Sequence, residues 1–342
     1  MKRLSPNPAP PKAGQVDTAL ARLCLASVLL SLLALPDALQ AQAIETVGER
    51  AMGMGGAFVA VADDSTATWW NPGALAAGPF VEVAAGWSRS EFPADVAPRS
   101  RVTVAAVSLS TPPVGVSYYR FRITNIQPAG PTETPPGDRE DRRVGVVRSV
   151  AIHDLGVTLL TSVFTGVHVG TTLKFLRGRV EHSTGDGPGQ GLFDADVGVL
   201  AVAGPWRLGG VVKNLRAAQF EDAAGSDGLR LPRQGRVGVA FDGAARRGSG
   251  AAWMVSADVD VARYAAGTGD RRVIAAGAER WWFGKRIGVR GGARFNQVGQ
   301  KERSATAGVS AAIRSSLFVE AHAVGGGSDD ERGFGLAARY SF

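Results

Sequence analysis

The chain has 342 residues, a formal net charge of +7, 45 glycines and one cysteine, Cys24, with a mean hydropathy of +0.02. A single cysteine near the amino end excludes internal disulfides, dithiol redox chemistry and cysteine-based zinc sites. The charge excess is small and unclustered, which gives no footprint for nucleic acid.

Lys2 and Arg3 open the chain, and Arg22 precedes an apolar run from Leu23 to Leu35. That run is short for a membrane helix and suits the core of a signal peptide. Ala41-Gln42-Ala43 is a small-x-small cleavage site, so residues 1–43 are expected to be a signal peptide and the mature chain to begin at Ile44. The leader removes Lys2, Arg3, Lys12 and Arg22 against Asp17 and Asp37, which reduces the formal charge from +7 to +5. No later stretch has 18 uninterrupted apolar residues, so no helical span is expected.

Residues 44–79 lack any sustained two-residue period. Gly53, Gly55 and Gly56 permit tight turns and close backbone approach. A phosphate cradle is discounted because no lysine follows them. Asp63 and Asp64 read as a solvated turn or a salt bridge in preference to a cation site, and Asn71-Pro72 as a turn leading into the first strand.

From residue 80 onward, apolar and polar residues alternate in segment after segment, the signature of strands with two unlike faces. Strands are expected near 80–90, 101–110, 113–123, 143–163, 166–181, 192–203, 206–214, 233–242, 252–263, 272–283, 286–296, 304–313, 315–324 and 333–342. Fourteen is an even number, as an antiparallel bacterial barrel requires, and the links between them alternate long and short. The expected fold is all-β, a 14-stranded antiparallel transmembrane β-barrel over 80–342, with 44–79 as an amino-terminal hatch in its lumen.

Alternation places Asp194, Asp196, Asp258 and Asp260 on inner faces, with Arg286, Arg290 and Arg294 opposite them as neutralising partners. Arginine on a lipid face costs roughly 2–4 kcal/mol near the midplane, which forces such residues inward. His153-Asp154 and His168 suggest a hydrolase only if a serine joins them, and the strand pattern places none there. Trp69, Trp70, Trp281 and Trp282 read as packing and interface-girdle residues. No catalytic set, metal site or cofactor is expected.

The last ten residues, GFGLAARYSF, alternate strictly and end on an aromatic, with Phe334, Leu336, Tyr340 and Phe342 on one face. They resemble the carboxyl-terminal signal that the assembly machinery of Gram-negative outer-membrane barrels recognises. Gly48-Glu49-Arg50-Ala51-Met52-Gly53-Met54-Gly55-Gly56-Ala57-Phe58, Ala60-Val61-Ala62-Asp63-Asp64 and Trp70-Asn71-Pro72 resemble the amino-terminal signature of PorV/PorQ-like proteins, within the superfamily of the long-chain fatty-acid transporter FadL. Phe193-Asp194-Ala195-Asp196, Lys213-Asn214-Leu215 and Gly277-Ala278-Glu279 extend the likeness. Asn71-Pro72-Gly73-Ala74 departs from the family's Asn-Pro-Ala. The resemblance implies an outer-membrane location, fourteen strands and a hatch at which Gly53, Gly55, Gly56, Asp63, Asp64, Asn71 and Pro72 gather. Alternating link lengths place both termini in the periplasm. Two functions stand: passage of hydrophobic or amphipathic small molecules, or docking of secreted proteins in the manner of PorV. A charge-rich lumen would suit a plug better than a greasy tunnel. Expected partners are outer-membrane lipid and lipopolysaccharide, the barrel assembly machinery, and either small hydrophobic molecules or exported proteins, with no nucleic acid.

Overall fold

The computed structural model describes residues 47–92, 100–127, 146–182, 185–186, 188–220, 229–243, 252–266, 269–299, 301–327 and 331–342. The expected signal peptide and the first residues of the hatch lie outside them. Fourteen long strands form the wall: β1 (Glu82–Phe92), β2 (Ser100–Thr111), β3 (Val114–Gln127), β4 (Val146–Phe164), β5 (Val167–His182), β6 (Gln190–Ala203), β7 (Trp206–Lys213), β8 (Gln234–Asp242), β9 (Ala252–Asp260), β10 (Val273–Trp282), β11 (Ile287–Asn296), β12 (Arg303–Ala312), β13 (Leu317–Gly326) and β14 (Arg332–Ser341). Each pairs antiparallel with its neighbours in sequence, and β1 pairs with β14 from Glu82↔Ser341 to Glu91↔Arg332. Closure leaves no unpaired edge, so every wall amide can find a partner where water is absent.

The outer face reads as lipid contact. Val83, Val107, Val116, Leu155, Val157, Leu173, Val255 and Val289 are all exposed, while Ser108, Ser117, Thr158, Ser256 and Arg290 at alternate positions are buried. Across β7, β8 and β9, Trp206 meets Phe241 edge-on and Phe241 stacks on Trp253, with centroids 4.9 and 5.4 Å apart, near the short-turn end where an aromatic girdle belongs. Trp282 is also exposed. Trp281 is the exception to the girdle expectation: it alternates with Trp282, falls on the inner face, and packs edge-on to Phe318 at 6.0 Å.

Phe334, Leu336, Tyr340 and Phe342 stand exposed on the outside of β14, and Phe342 donates its backbone N–H to Val81 O at 2.9 Å. Tyr340 and Phe342 contact each other at 4.6 Å, and Phe334 meets Trp87 of β1 at 5.6 Å across the closing seam. Replacing Tyr340 and Phe342 with Ser is expected to lower the amount of barrel in the membrane several-fold. It should leave the heat-modifiability of whatever assembles unchanged. Fractionation with boiled and unboiled gel samples reads both; normal membrane levels would remove the assembly role from these residues.

Candidate functional site in the lumen

The segment Val47–Gly78 runs inside the barrel, almost wholly buried. It contains helix α1 (Glu49–Gly53), helix α2 (Ala67–Trp70) and a 3-10 helix (Pro72–Ala77). At one side α1 lies against β11–β14; at the other the 3-10 helix lies against β4–β6. A plug this close needs walls without side chains. A Cβ on Gly198 would sit 2.1 Å from Asn71 Oδ1, and one on Gly292 would sit 2.3 Å from the Met54 carbonyl carbon. Glycine in these lumen-facing strand positions therefore marks where another backbone passes.

The plug's own glycines have matching reasons. Gly55 and Gly56 have φ of +70° and +79°, which turns the chain after α1. Gly53 abuts the aliphatic stem of Arg290 and the backbone of Gly308. Asn71 fixes the far end: its Nδ2 donates to Val59 O (2.8 Å) and Val199 O (2.9 Å), and its Oδ1 accepts from Gly73 N (3.1 Å). Pro72 begins the 3-10 helix, where its missing N–H costs nothing. Asp258 of β9 accepts the N–H groups of Phe58 and Val59, both at 2.8 Å. Thus Gly53, Gly55, Asn71 and Pro72 fall on the contact between plug and wall, while Gly56 packs on Trp70 within the plug.

Charge holds the opposite side. Arg50 of α1 donates to both Glu279 oxygens at 2.8 and 2.7 Å, pairs with Asp63, and reaches Asp64 at 3.3 Å. Arg207 joins Asp63 (3.2 Å) to Asp242 (2.6 Å). Glu279 continues to Arg290 at 3.5 Å, and Arg339 bridges Glu320 and Glu82, each at 3.1 Å. Glu82 in turn accepts the N–H of Ser65 at 2.6 Å. Burial opposes the charge on Asp63, but Arg50 and Arg207 outweigh it and hold the carboxyl below its usual range. Burial, aided by the charges of Glu320 and Asp64, pushes Glu49 up to about 8. Asp63 and Asp64 are therefore salt-bridge residues; among the described residues no three or more His, Cys, Asp or Glu side chains gather as a metal site would need.

Two expectations about the lumen charges require correction. Arg286 is not a lumen residue: the turn at Phe283, Gly284 and Lys285 takes positive φ, β11 starts only at Ile287, and Arg286 is exposed beside the turn. Nor do the aspartates neutralise the arginines of β11. Asp196 pairs with Lys174 (2.7 Å), Asp260 with Arg236 (2.7 Å), and Asp194 accepts backbone N–H groups of Ala195, Arg216 and Ala218. Arg290 turns to Glu279 and Ser310, and Arg294 to Glu331. Face alternation gives the side of the wall but carries no information about depth or cross-lumen neighbours.

The third correction is to the lumen's character. Its charged side faces an apolar one: Val102, Val104, Tyr119, Phe121, Ile123, Ile152 and Leu176 line β2–β5 from within, all buried. Trp69 of the plug packs on Tyr119 (5.1 Å) and Phe121 (5.2 Å), while Ala218, Phe220 and Leu231 of the β7–β8 link complete the cluster. Small gaps of about 10 and 20 Å³ remain on either side of Trp69, next to Lys213 and Gln234. Among the described residues the plug thus leaves little space around Trp69, and the lumen is greasy along one wall.

Among the described residues the histidines do not come together with both a serine and a carboxylate. His153 faces outward against Tyr118 (2.7 Å) while Asp154 faces inward, so the pair is split between faces. A serine does lie by His168, contrary to the strand reading: Ser162 Oγ is 2.9 Å from Nδ1 across the β4–β5 hairpin. Both are solvent-side groups, and no carboxylate is paired with His168 among the described residues.

Three comparisons bear on this geometry. A family model described as "F plasmid transfer operon, TraF, protein" matches residues 188–260. No curated protein matches the sequence. Among solved structures, the CymD monoaromatic hydrocarbon channel superposes with a TM-score of 0.64 at 12% identity, over 88% of this chain and 99% of that one. The P. putida toluene transporter TodX gives 0.60 at 10%, over 88% and 99%, and a Pseudomonas aeruginosa FadL homologue gives 0.57 at 10%, over 88% and 100%. At such identities the likeness speaks to fold, and end-to-end coverage makes it a likeness of whole barrels: the chain has the fold of FadL-type hydrocarbon channels.

Proposed function

We propose that this barrel passes small hydrophobic or amphipathic molecules across the outer membrane, with the plug segment as its gate and both termini in the periplasm. The observation that carries the reading is the apolar wall of β2–β5, which runs from the β7–β8 link down to Trp69 of the plug. A permanent plug needs no apolar wall this wide, because the Arg50 ion pairs, Asn71 and Asp258 already fasten it at several points. Apolar solutes such as the monoaromatics named for CymD and TodX fit a path of this chemistry. The solute would displace Phe220 and Leu231, then move Trp69 away from Tyr119 and Phe121. The sequence likeness to PorV/PorQ-like proteins motivates the other reading, docking of exported proteins, which gives the greasy wall no task.

The test is uptake of a radiolabelled monoaromatic and of a long-chain fatty acid into proteoliposomes. Phe121→Asp replaces apolar wall with a carboxylate that an apolar solute would have to pass, and is expected to cut uptake roughly tenfold or more. Uptake no faster than in empty vesicles would sink the proposal, and capture of an exported protein by the same preparation would then favour docking.

A further inference from the structure

The outside of β3–β5 carries a feature that passage through the lumen does not use. Along the short-turn half of these strands, outward residues are apolar and inward ones polar: Val116, Val157 and Leu173 outside, Ser117, Thr158 and Lys174 inside. Beyond Tyr118, Leu155 and Phe175 the pattern inverts. Arg120, Arg122, Arg177 and Arg179 point outward, while Phe121, Ile123, Ile152 and Leu176 point inward. Register shows that the inversion is one event: Tyr118, Leu155 and Phe175 are directly opposite one another, and so are Arg120, His153 and Arg177 in the next outward row. Three adjacent strands change sign along one line, as a wall does that passes from hydrocarbon to headgroups.

A concavity of about 520 Å³ opens on that line, with Tyr118, Leu155 and Phe175 below and Arg120, Arg177 and Arg179 above. A second, of about 340 Å³, adjoins it across β3, lined by Trp87, Arg89, Arg101 and Arg122. The nearby carboxylates are already engaged: Glu181 with Arg122 (3.6 Å) and Ser149 (2.9 Å), Glu91 with Arg89 (2.6 Å) and Arg101 (3.1 Å). Among the described residues none pairs with Arg120 or Arg177. Guanidinium matches a phosphate group with two parallel N–H donors. A soluble anion would need only the arginines; an apolar floor directly beneath them suits acyl chains.

We propose that this outer face binds the phosphorylated headgroup of an outer-leaflet glycolipid of the lipopolysaccharide class, its phosphates held by Arg120 and Arg177 and its acyl chains laid along Tyr118, Leu155 and Phe175. The site is independent of what the lumen carries. It shares with the proposed function only the orientation that puts the long-link end outside.

The experiment is a titration of the purified full-length barrel, followed by native mass spectrometry, with bisphosphorylated lipid A, the same lipid stripped of phosphate, and inorganic phosphate alone. Wild type is expected to bind the phosphorylated lipid roughly tenfold more tightly than the stripped one. The Arg120→Gln/Arg177→Gln variant should lose that preference while Arg120→Lys/Arg177→Lys keeps part of it, because lysine retains charge without the fork. Equal binding of the two lipids by wild type overturns the proposal without recourse to any variant. Displacement of the lipid by millimolar inorganic phosphate overturns it in favour of a soluble-anion site. Orientation is read separately, by labelling Gln297→Cys in intact cells with a membrane-impermeant maleimide, so its failure and that of lipid binding are distinguishable.

Discussion

Deleting residues 48–72 is expected to turn a plugged barrel into an open pore. In planar bilayers the conductance should rise roughly tenfold or more, since a wall of this strand number is too wide for its own side chains to fill. The wall needs no hatch residue for closure, because β1 pairs with β14 over its whole length. What the deletion removes is the filling: Met52, Met54, Phe58 and Leu75 are fully buried against the wall, and Asn71 ties the segment to Val199. The charges left behind, Glu279, Arg290 and Asp258 among them, would then be hydrated, so their loss of plug partners should cost the barrel little. Heat-modifiable migration checks that the wall still forms. Unchanged conductance with intact migration would assign the seal to the link between β7 and β8, where Phe220 and Leu231 are buried. Faster entry of small polar solutes together with lost uptake of the apolar solute is the outcome that gating requires.

Most of the wall could be read from the sequence because a membrane imposes a period of two. Every expected strand has an observed counterpart, and alternation correctly sends Asp194, Asp258, Arg290 and Arg294 inward. The period fails where its cause fails. On β3, Tyr118 and Tyr119 are both aromatic, and the Arg120-Phe121-Arg122-Ile123 alternation that follows is as regular as the one before. A rule that sends arginine inward assumes that the strand is still in hydrocarbon, so it cannot register that the phase reverses past Tyr118. The plug is visible as an absence of period, and its glycines as close-approach residues, whereas Asn71 reads only as a turn and its bonds to Val59 and Val199 do not show in the sequence. The plug's ionic anchor does not show either. Arg50 and Glu279 are 229 positions apart and meet only because α1 is carried across the lumen. The one available signal was a charged pair, Glu49-Arg50, inside a run that is otherwise glycine, alanine and methionine. A charge in such surroundings has to find a partner.

Arg50→Met should accordingly loosen the plug while leaving the barrel intact. The guanidinium is the common partner of Glu279, Asp63 and Asp64, and its own exposure is 8%. Methionine fills most of the volume but leaves those carboxylates packed together, with Arg207 and Arg290 as the remaining cations. Removing one member of a buried ion pair costs about 3–5 kcal/mol, far more than the net worth of the pair, because a charge remains in low dielectric without compensation. That penalty falls on the seated state of the plug, since water can reach the carboxylates once it lifts. Amide exchange of residues 48–72 is therefore expected to accelerate roughly a hundredfold or more, with brief openings in single-channel records. Exchange in β1–β14 should stay as slow as in wild type. Adding Glu279→Leu to Arg50→Met removes the charge most directly orphaned and should restore part of the protection. A single variant whose plug exchanges at the wild-type rate would show that the contacts around Asn71 and Pro72 hold the segment by themselves. A double variant no better than the single one would assign the penalty to Asp63 and Asp64, which Arg207 alone would then have to balance.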